Sequence, residues 1–298
     1  MTYLVGYGPH NNDRSAIELA CQFARSEPLP VLAVTVVPRG WGTPMAGGTD
    51  REFEEWAASE GEASAIEARH DLARHPSVEG SALWVSGRSV PQALIAQAES
   101  VDAAMLVVGS RGDAKMGRIR LSSKTDRLAH SSAVPVAFAP RGYRTQSAVT
   151  RVTVGFREDD AGWSLLTQVA EICRRTSARL RVVTFIVNPT RRPVTSRMSH
   201  TETQVIDQWR IQATAAQSEV KTHLETLGFT GDDLELCVTE GPTWTKAIGS
   251  LDWEKGDILV VGSSTTHPLA RVFLGSSGSK ILRSSPVPVV VVPGTTTK

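Results

Sequence analysis

Two stretches of this 298-residue chain combine residue types that can hold an anion. One spans residues 109–123, and the other, GSSTTHPLARVFLGS, spans residues 262–276. Each follows a short apolar run, at 105–108 or 258–261, that reads as a buried strand. Each precedes a segment, 124–130 or 277–284, that reads as the start of a helix. Backbone N–H groups point outward at a helix start, and the helix dipole favours negative charge there. Glycine lets the backbone approach an anion with no Cβ in the way. The chemistry this points to is phosphate binding. The candidate residues are Gly109, Gly112, Ser122 and Ser123 in one loop, and Gly262, Thr265, Gly275, Ser276 and Ser277 in the other. Near the first loop lie Lys115, Arg118, Arg120 and Lys124, a cluster that either clamps a polyanion or forms a solvated face.

No catalytic set accompanies these loops. The chain has no Gly-x-Ser-x-Gly elbow, no GxxxxGK[ST] loop, no CxxC and no HExxH. His10, His130 and His267 lie near loop ends with no nucleophile or second ligand at a recognisable spacing, so they read as surface or capping histidines. The seven tryptophans, Trp56 and Trp209 among them, read as core or interface anchors. No metal site is implied.

Net charge is +1, which gives no general attraction to nucleic acid or to an anionic membrane. The apolar run at 287–292 is too short to span a bilayer. The first residues lack the pattern of a signal peptide. Cys21, Cys173 and Cys237 cannot all pair and show no ligand spacing, which fits a reducing cytoplasm.

Stepwise along the chain, short apolar runs alternate with helical patterns, which implies a parallel sheet with right-handed crossovers. Strands are expected at 3–7, 31–37, 81–85, 105–108 and 135–139, with helices after Asp13 or Ser15, at 52–73, at 92–99 and at 124–130. Residues 141–150 are polar and unpatterned, a candidate linker. The series then restarts, with strands at 152–156, 180–187, 234–238, 258–261 and 287–292 and a long helix at 202–227. Val85, Val108, Gly109, Leu121, Ser123 and Pro135 stand at one constant offset from Val238, Val261, Gly262, Leu274, Ser276 and Pro288. Register held through loops points to an internal duplication, with units at 1–143 and 149–298.

The repeat resembles the universal stress protein family in its tandem, two-domain form. The resemblance rests on the opening VGY and VGF strands, the second strand ending in Val-Val-Pro38, the VVG109 and VVG262 loops, and the closing VPVAFAP and VPVVVVP strands. It implies two open, parallel five-stranded α/β domains, Rossmann-like and of the adenine nucleotide alpha hydrolase type, paired through their apolar last strands. It also implies a cytoplasmic, regulatory stress-response protein that binds ATP or another adenine nucleotide. ATP-binding members carry G-x2-G-x9-G-[ST] and an Asp after the first strand. Here Gly262, Gly275 and Ser276 match in the second half, with Thr265 in place of the middle glycine and Arg157 at the Asp position. In the first half Gly109, Gly112 and Ser123 match, with Ser122 in place of the last glycine and Gly8 at the Asp position. Both sites are degenerate by that measure. The expected mode is binding without turnover, with a second copy of the chain as a further expected partner. The competing reading is a nucleotide-free scaffold that meets a protein partner through loops 39–48 and 188–200. Slow ATP hydrolysis is a third.

Overall fold

The β-branched runs form strands and the periodic segments form helices, alternating within each half. The computed structural model describes residues 1–8, 13–39, 49–188, 200–263 and 274–294. The first half comprises β1 (Thr2–Tyr7), α1 (Ser15–Ser26), β2 (Val31–Pro38), α2 (Thr49–Leu72), β3 (Gly80–Gly87), α3 (Val90–Ser100), β4 (Ala103–Gly109), α4 (Ser123–Leu128) and β5 (Val136–Ala139). The second comprises β6 (Arg151–Gly155), α5 (Asp160–Thr176), β7 (Arg179–Val187), α6 (His200–Thr226), β8 (Leu234–Gly241), α7 (Trp244–Gly249), β9 (Asp257–Gly262), α8 (Ser276–Ser284) and β10 (Val289–Val292).

The ten strands of the described residues join one sheet in the order β3-β2-β1-β4-β5-β10-β9-β6-β7-β8. Neighbours within each half are parallel, while β5 and β10 meet antiparallel, with Val289 opposite Phe138 and Val291 opposite Val136. The seam removes two apolar edges, and Val136, Ala137, Phe138 and Ala139 are fully buried there. The last strands are shorter than the sequence suggested. Pro135 and Pro288 have no N–H to give a ladder and fall outside them, although their carbonyls accept from Leu106 and Leu259, each at 2.9 Å.

Strand side chains alternate between two cores. One face packs α1, α2, α5 and α6 over residues such as Val5, Val107, Val154 and Val290. The other packs α3, α4, α7 and α8 over Leu4, Leu106, Leu259 and Val289. Each core runs through both halves, so the halves share their apolar interior.

Residues 141–150, expected as a linker, are pinned to α1. Tyr143 Oη donates to Gln22 Oε1 at 2.7 Å, and Arg25 Nη2 donates to the Thr145 carbonyl at 3.1 Å. Ser26 Oγ accepts from Val149 N–H at 2.7 Å. Arg175 of α5 pairs with Glu27 at 2.9 Å across the same junction. The polar residues of the connection are spent on contacts within the chain, which fixes the two halves against each other.

Candidate functional site

In each half the chain leaves the first strand in one direction and returns on its other side. The crevice this creates lies beyond the carboxyl ends of β1 and β4, and of β6 and β9, the place where open α/β sheets bind ligands. A cleft is found at both. The second-half cleft, about 600 Å³, is lined by Gly155, Arg157, Phe185, Gly262, Gly275, Ser276 and Ser277 among others. The first-half cleft, about 1180 Å³, takes in Tyr7, Gly8, Gly109, Gly112, Ser122 and Ser123. Both are large enough for a drug-sized ligand. Of the residues singled out in the sequence, Thr265, His10 and His267 lie outside the described residues, as do nearly all of loops 39–48 and 188–200. The other loop candidates come together in two clefts, one set in each, with Lys124 and His130 in the first, whereas Lys115, Arg118 and Arg120 line neither.

The two helix starts differ in kind. At α4, Ser122 is the N-cap, and its hydroxyl accepts the Thr125 N–H at 3.2 Å. Thr125 Oγ1 in turn accepts the Ser122 N–H at 2.7 Å, which completes a capping box. The side chain that takes the place of glycine there consumes donors a phosphate would need. The helix behind it has six residues, short for an anion-binding dipole. At α8 the N-cap is Gly275, which has no side chain to offer, and nine helical residues follow. Its third helical position is Gly278 rather than Thr, so neither half of a capping box is present. A Cβ at Gly278 would sit 2.8 Å from Leu274 Cδ1, so the first turn of α8 rests directly on a buried leucine.

Two of the four cations of the first-loop cluster, Arg118 and Arg120, are held by partners within the chain. Arg120 pairs with Asp113 at 3.1 Å and Arg111 pairs with it at 3.2 Å. Arg118 Nη1 donates to the Ser284 carbonyl at 2.9 Å, which places a cation at the C-terminal end of α8. Ser110 Oγ accepts the Arg120 N–H at 2.8 Å and so ties the two ends of the loop together. His130 Nδ1 lies 2.6 Å from the Asp126 carbonyl, a helix-end contact.

At the two Asp positions the clefts again diverge. Arg157 is ion-paired to Asp159, the N-cap of α5, whose other oxygen accepts the Gly162 N–H at 2.8 Å. Only glycine fits at 162, because a Cβ would lie 1.9 Å from the Arg157 carbonyl. A guanidinium therefore stands at the mouth of the second cleft, held by the turn that starts α5. In the first half Gly8 brings no side chain. The polar group nearby is Tyr7, whose Oη donates to the buried Asp71 at 3.2 Å, and Asp71 is paired with Arg14 at 2.7 Å. Burial beside Asp71 pushes the Tyr7 phenol up from its ordinary value.

Further residues shape the clefts: Ser263 and Phe185 were not singled out in the sequence, and the tryptophans were read there as anchors. Ser263 Oγ accepts the Gly294 N–H at 2.7 Å and closes the end of β9. Phe185 and Trp244, with ring centroids 5.9 Å apart, form an apolar wall. Trp56 and Trp209 each line a cleft. One signal was available: Trp56 and Trp209 stand at the same interval as Gly109 and Gly262. Among the described residues there is no group of three or more His, Cys, Asp or Glu able to hold a metal ion. None of the described helices is long and apolar enough to cross a membrane.

Comparison with known proteins bears on this architecture. The model of the universal stress protein family matches residues 1–140 and 148–293. Universal stress proteins of Mycobacterium tuberculosis and Mycobacterium bovis are each 36% identical over 296 residues, covering 99% of this chain and 100% of theirs. A universal stress protein crystal structure from Archaeoglobus fulgidus superposes with a TM-score of 0.67 at 14% identity, covering 99% of this chain and 97% of that one. A putative universal stress protein from Pseudomonas aeruginosa gives 0.58 at 16% identity, covering 98% and 93%. With its duplicated α/β halves and matches along nearly its whole length, the chain belongs to the universal stress protein family.

Proposed function

We propose that this chain is a cytoplasmic regulatory protein of the stress response that binds an adenine nucleotide, ATP included, in the cleft of its second half. The observation that carries the reading is the N-terminus of α8, where Gly275 leaves the first-turn N–H groups without a side-chain cap. Gly262, Gly275, Ser276 and Ser277 form the phosphate corner; Thr265, between them in sequence, lies outside the described residues. Arg157 supplies positive charge at the mouth in place of a carboxylate. Gly109, Gly112, Ser122 and Ser123 form the weaker counterpart, because Ser122 competes with the ligand for its own helix. The reading takes residues 1–143 and 149–298 as two stress-protein units. It assigns no catalytic residue and no metal, and its output is a bound state read by a protein partner or a second copy of the chain.

Calorimetric titration of the full chain with ATP, AMP and cyclic AMP tests it. Saturable binding of at least one adenylate is expected. Absence of heat at millimolar nucleotide contradicts it and favours the nucleotide-free scaffold.

A further inference from the structure

Tryptophan is highly buried on average, because leaving an indole in water forfeits a large apolar transfer term. Trp56 and Trp209 depart from that expectation together, at 52% and 45% exposure. They occupy corresponding places. In the first half Thr35 Oγ1 of β2 lies 2.9 Å from Ser64 Oγ of α2. In the second, Gln217 Nε2 of α6 donates to Thr184 Oγ1 of β7 at 2.9 Å. These two bonds fix α2 and α6 on the sheet in the same way. Each tryptophan sits about two turns N-terminal to that fixed point, at 3.6 residues per turn. Each lines the cleft of its own half.

In the second half the surroundings restrict what the indole can do. Arg210, the next residue, donates through Nε and Nη2 to Glu240 Oε2 of β8 at 2.9 and 2.7 Å. This anchors the α6 turn that carries Trp209 to the end of the sheet. Part of the cleft wall is apolar, with Phe185, Ile186 and Ala213 in its lining. A ligand that puts its phosphates at α8 has its aromatic ring left over for that wall, and an indole at the rim can cover the ring's open face.

We propose that Trp209 is a base-stacking residue that closes over the purine of the bound nucleotide, and that Trp56 is its counterpart in the first half. The proposal departs from the sequence reading of both as core or interface anchors, and it rests on the nucleotide reading above. Stacking of a base on an aromatic side chain makes a contribution that pyrophosphate, which has no ring, cannot receive.

The test is calorimetric titration of the full chain and of Trp209→Ala and Trp209→Phe with ATP and with inorganic pyrophosphate. Trp209 is half-exposed, so both variants are expected to fold, and their thermal melts check this. For Trp209→Ala the expected result is a ~5- to 100-fold loss of ATP affinity with pyrophosphate affinity unchanged, the span set by typical base-stacking contributions. Trp209→Phe retains a π-face and should recover most of the loss. Three results overturn the proposal. If wild type binds ATP more tightly than pyrophosphate and Trp209→Ala does not change this, the stacking role alone is wrong. If wild type binds the two equally, no ring is recognised. If wild type binds neither, the nucleotide reading fails and the stacking role fails with it.

Discussion

Ser122 and Gly275 hold one position in the two repeats, the N-cap before a loop-following helix, and only Ser122 turns its side chain back on the helix, accepting the Thr125 N–H at 3.2 Å. A single hydroxyl thus separates a self-satisfied helix start from one whose donors face a cleft. Exchanging the two residues should exchange the property. At Gly275 the backbone, with φ −61° and ψ 173°, suits any residue. Gly275→Ser should therefore fold, and its hydroxyl should capture the Gly278 N–H. A cap of this kind contributes about 1 kcal/mol, so pyrophosphate and ATP affinity should fall roughly 5- to 10-fold. Ser122→Gly should destabilise α4 slightly and leave second-cleft affinity unchanged. Calorimetry on the two variants checks both outcomes.

Acidification should destabilise the junction of α1 with the end of α2. His75 is buried there, against Glu18, Arg25, Asp71 and Arg74, and its pKa is lowered from 6.5, chiefly by burial. The unfolded chain takes up this proton more readily than the folded one. Stability from this group is therefore fully present above 6.5 and is lost as pH falls below it toward the folded value. Urea midpoints measured from pH 7.5 to 5.5 should fall in wild type, with a contribution of at most about 1.4 kcal/mol per pH unit from this one site. The fall should be shallower in His75→Gln. Equal slopes in the two proteins contradict the assignment.

The thiols should be quiet in the native state. Burial pushes Cys21 and Cys173 up to about 12 and Cys237 up to about 11. At pH 8 almost no thiolate is present on any of them. Thiol labelling of the native protein should be slow at all three, fastest at the half-buried Cys237, and complete only in denaturant. Rapid labelling of Cys21 or Cys173 would show that the cores described here open readily.

Beneath the second half lies a buried ion pair. Arg151 donates through Nε and Nη2 to the two oxygens of Asp257, at 3.1 and 2.6 Å. Asp257→Ala leaves that guanidinium with only the half-exposed Glu235, 3.6 Å away, as its ion-pair partner and should cost about 3 kcal/mol in a urea unfolding experiment. Replacing both residues, as Arg151→Met with Asp257→Leu, should recover much of the loss, because the desolvation penalty goes with the charges.

The duplication was legible in the sequence because loops, strands and prolines keep one offset, and the strands because β-branched runs such as 287–292 fit a pleated surface. What the sequence hid was the partner of each polar side chain. Ser122 read as a phosphate candidate in place of a glycine, whereas its hydroxyl accepts inside a capping box. Residues 141–150 read as a tether because their own pattern is featureless. Their fixed course comes from Gln22, Arg25 and Ser26, more than a hundred residues earlier. The paired tryptophans read as anchors because exposure is a property of the fold, not of the residue type.

Native mass spectrometry of the intact chain with ATP tests the central claim most directly. The account predicts one adenylate per chain at moderate nucleotide, lost in Gly275→Val and retained in Gly112→Val, a first-half position where a Cβ meets nothing within 4 Å. A wild-type chain that binds no nucleotide, or one whose adenylate survives Gly275→Val and disappears in Gly112→Val, contradicts it.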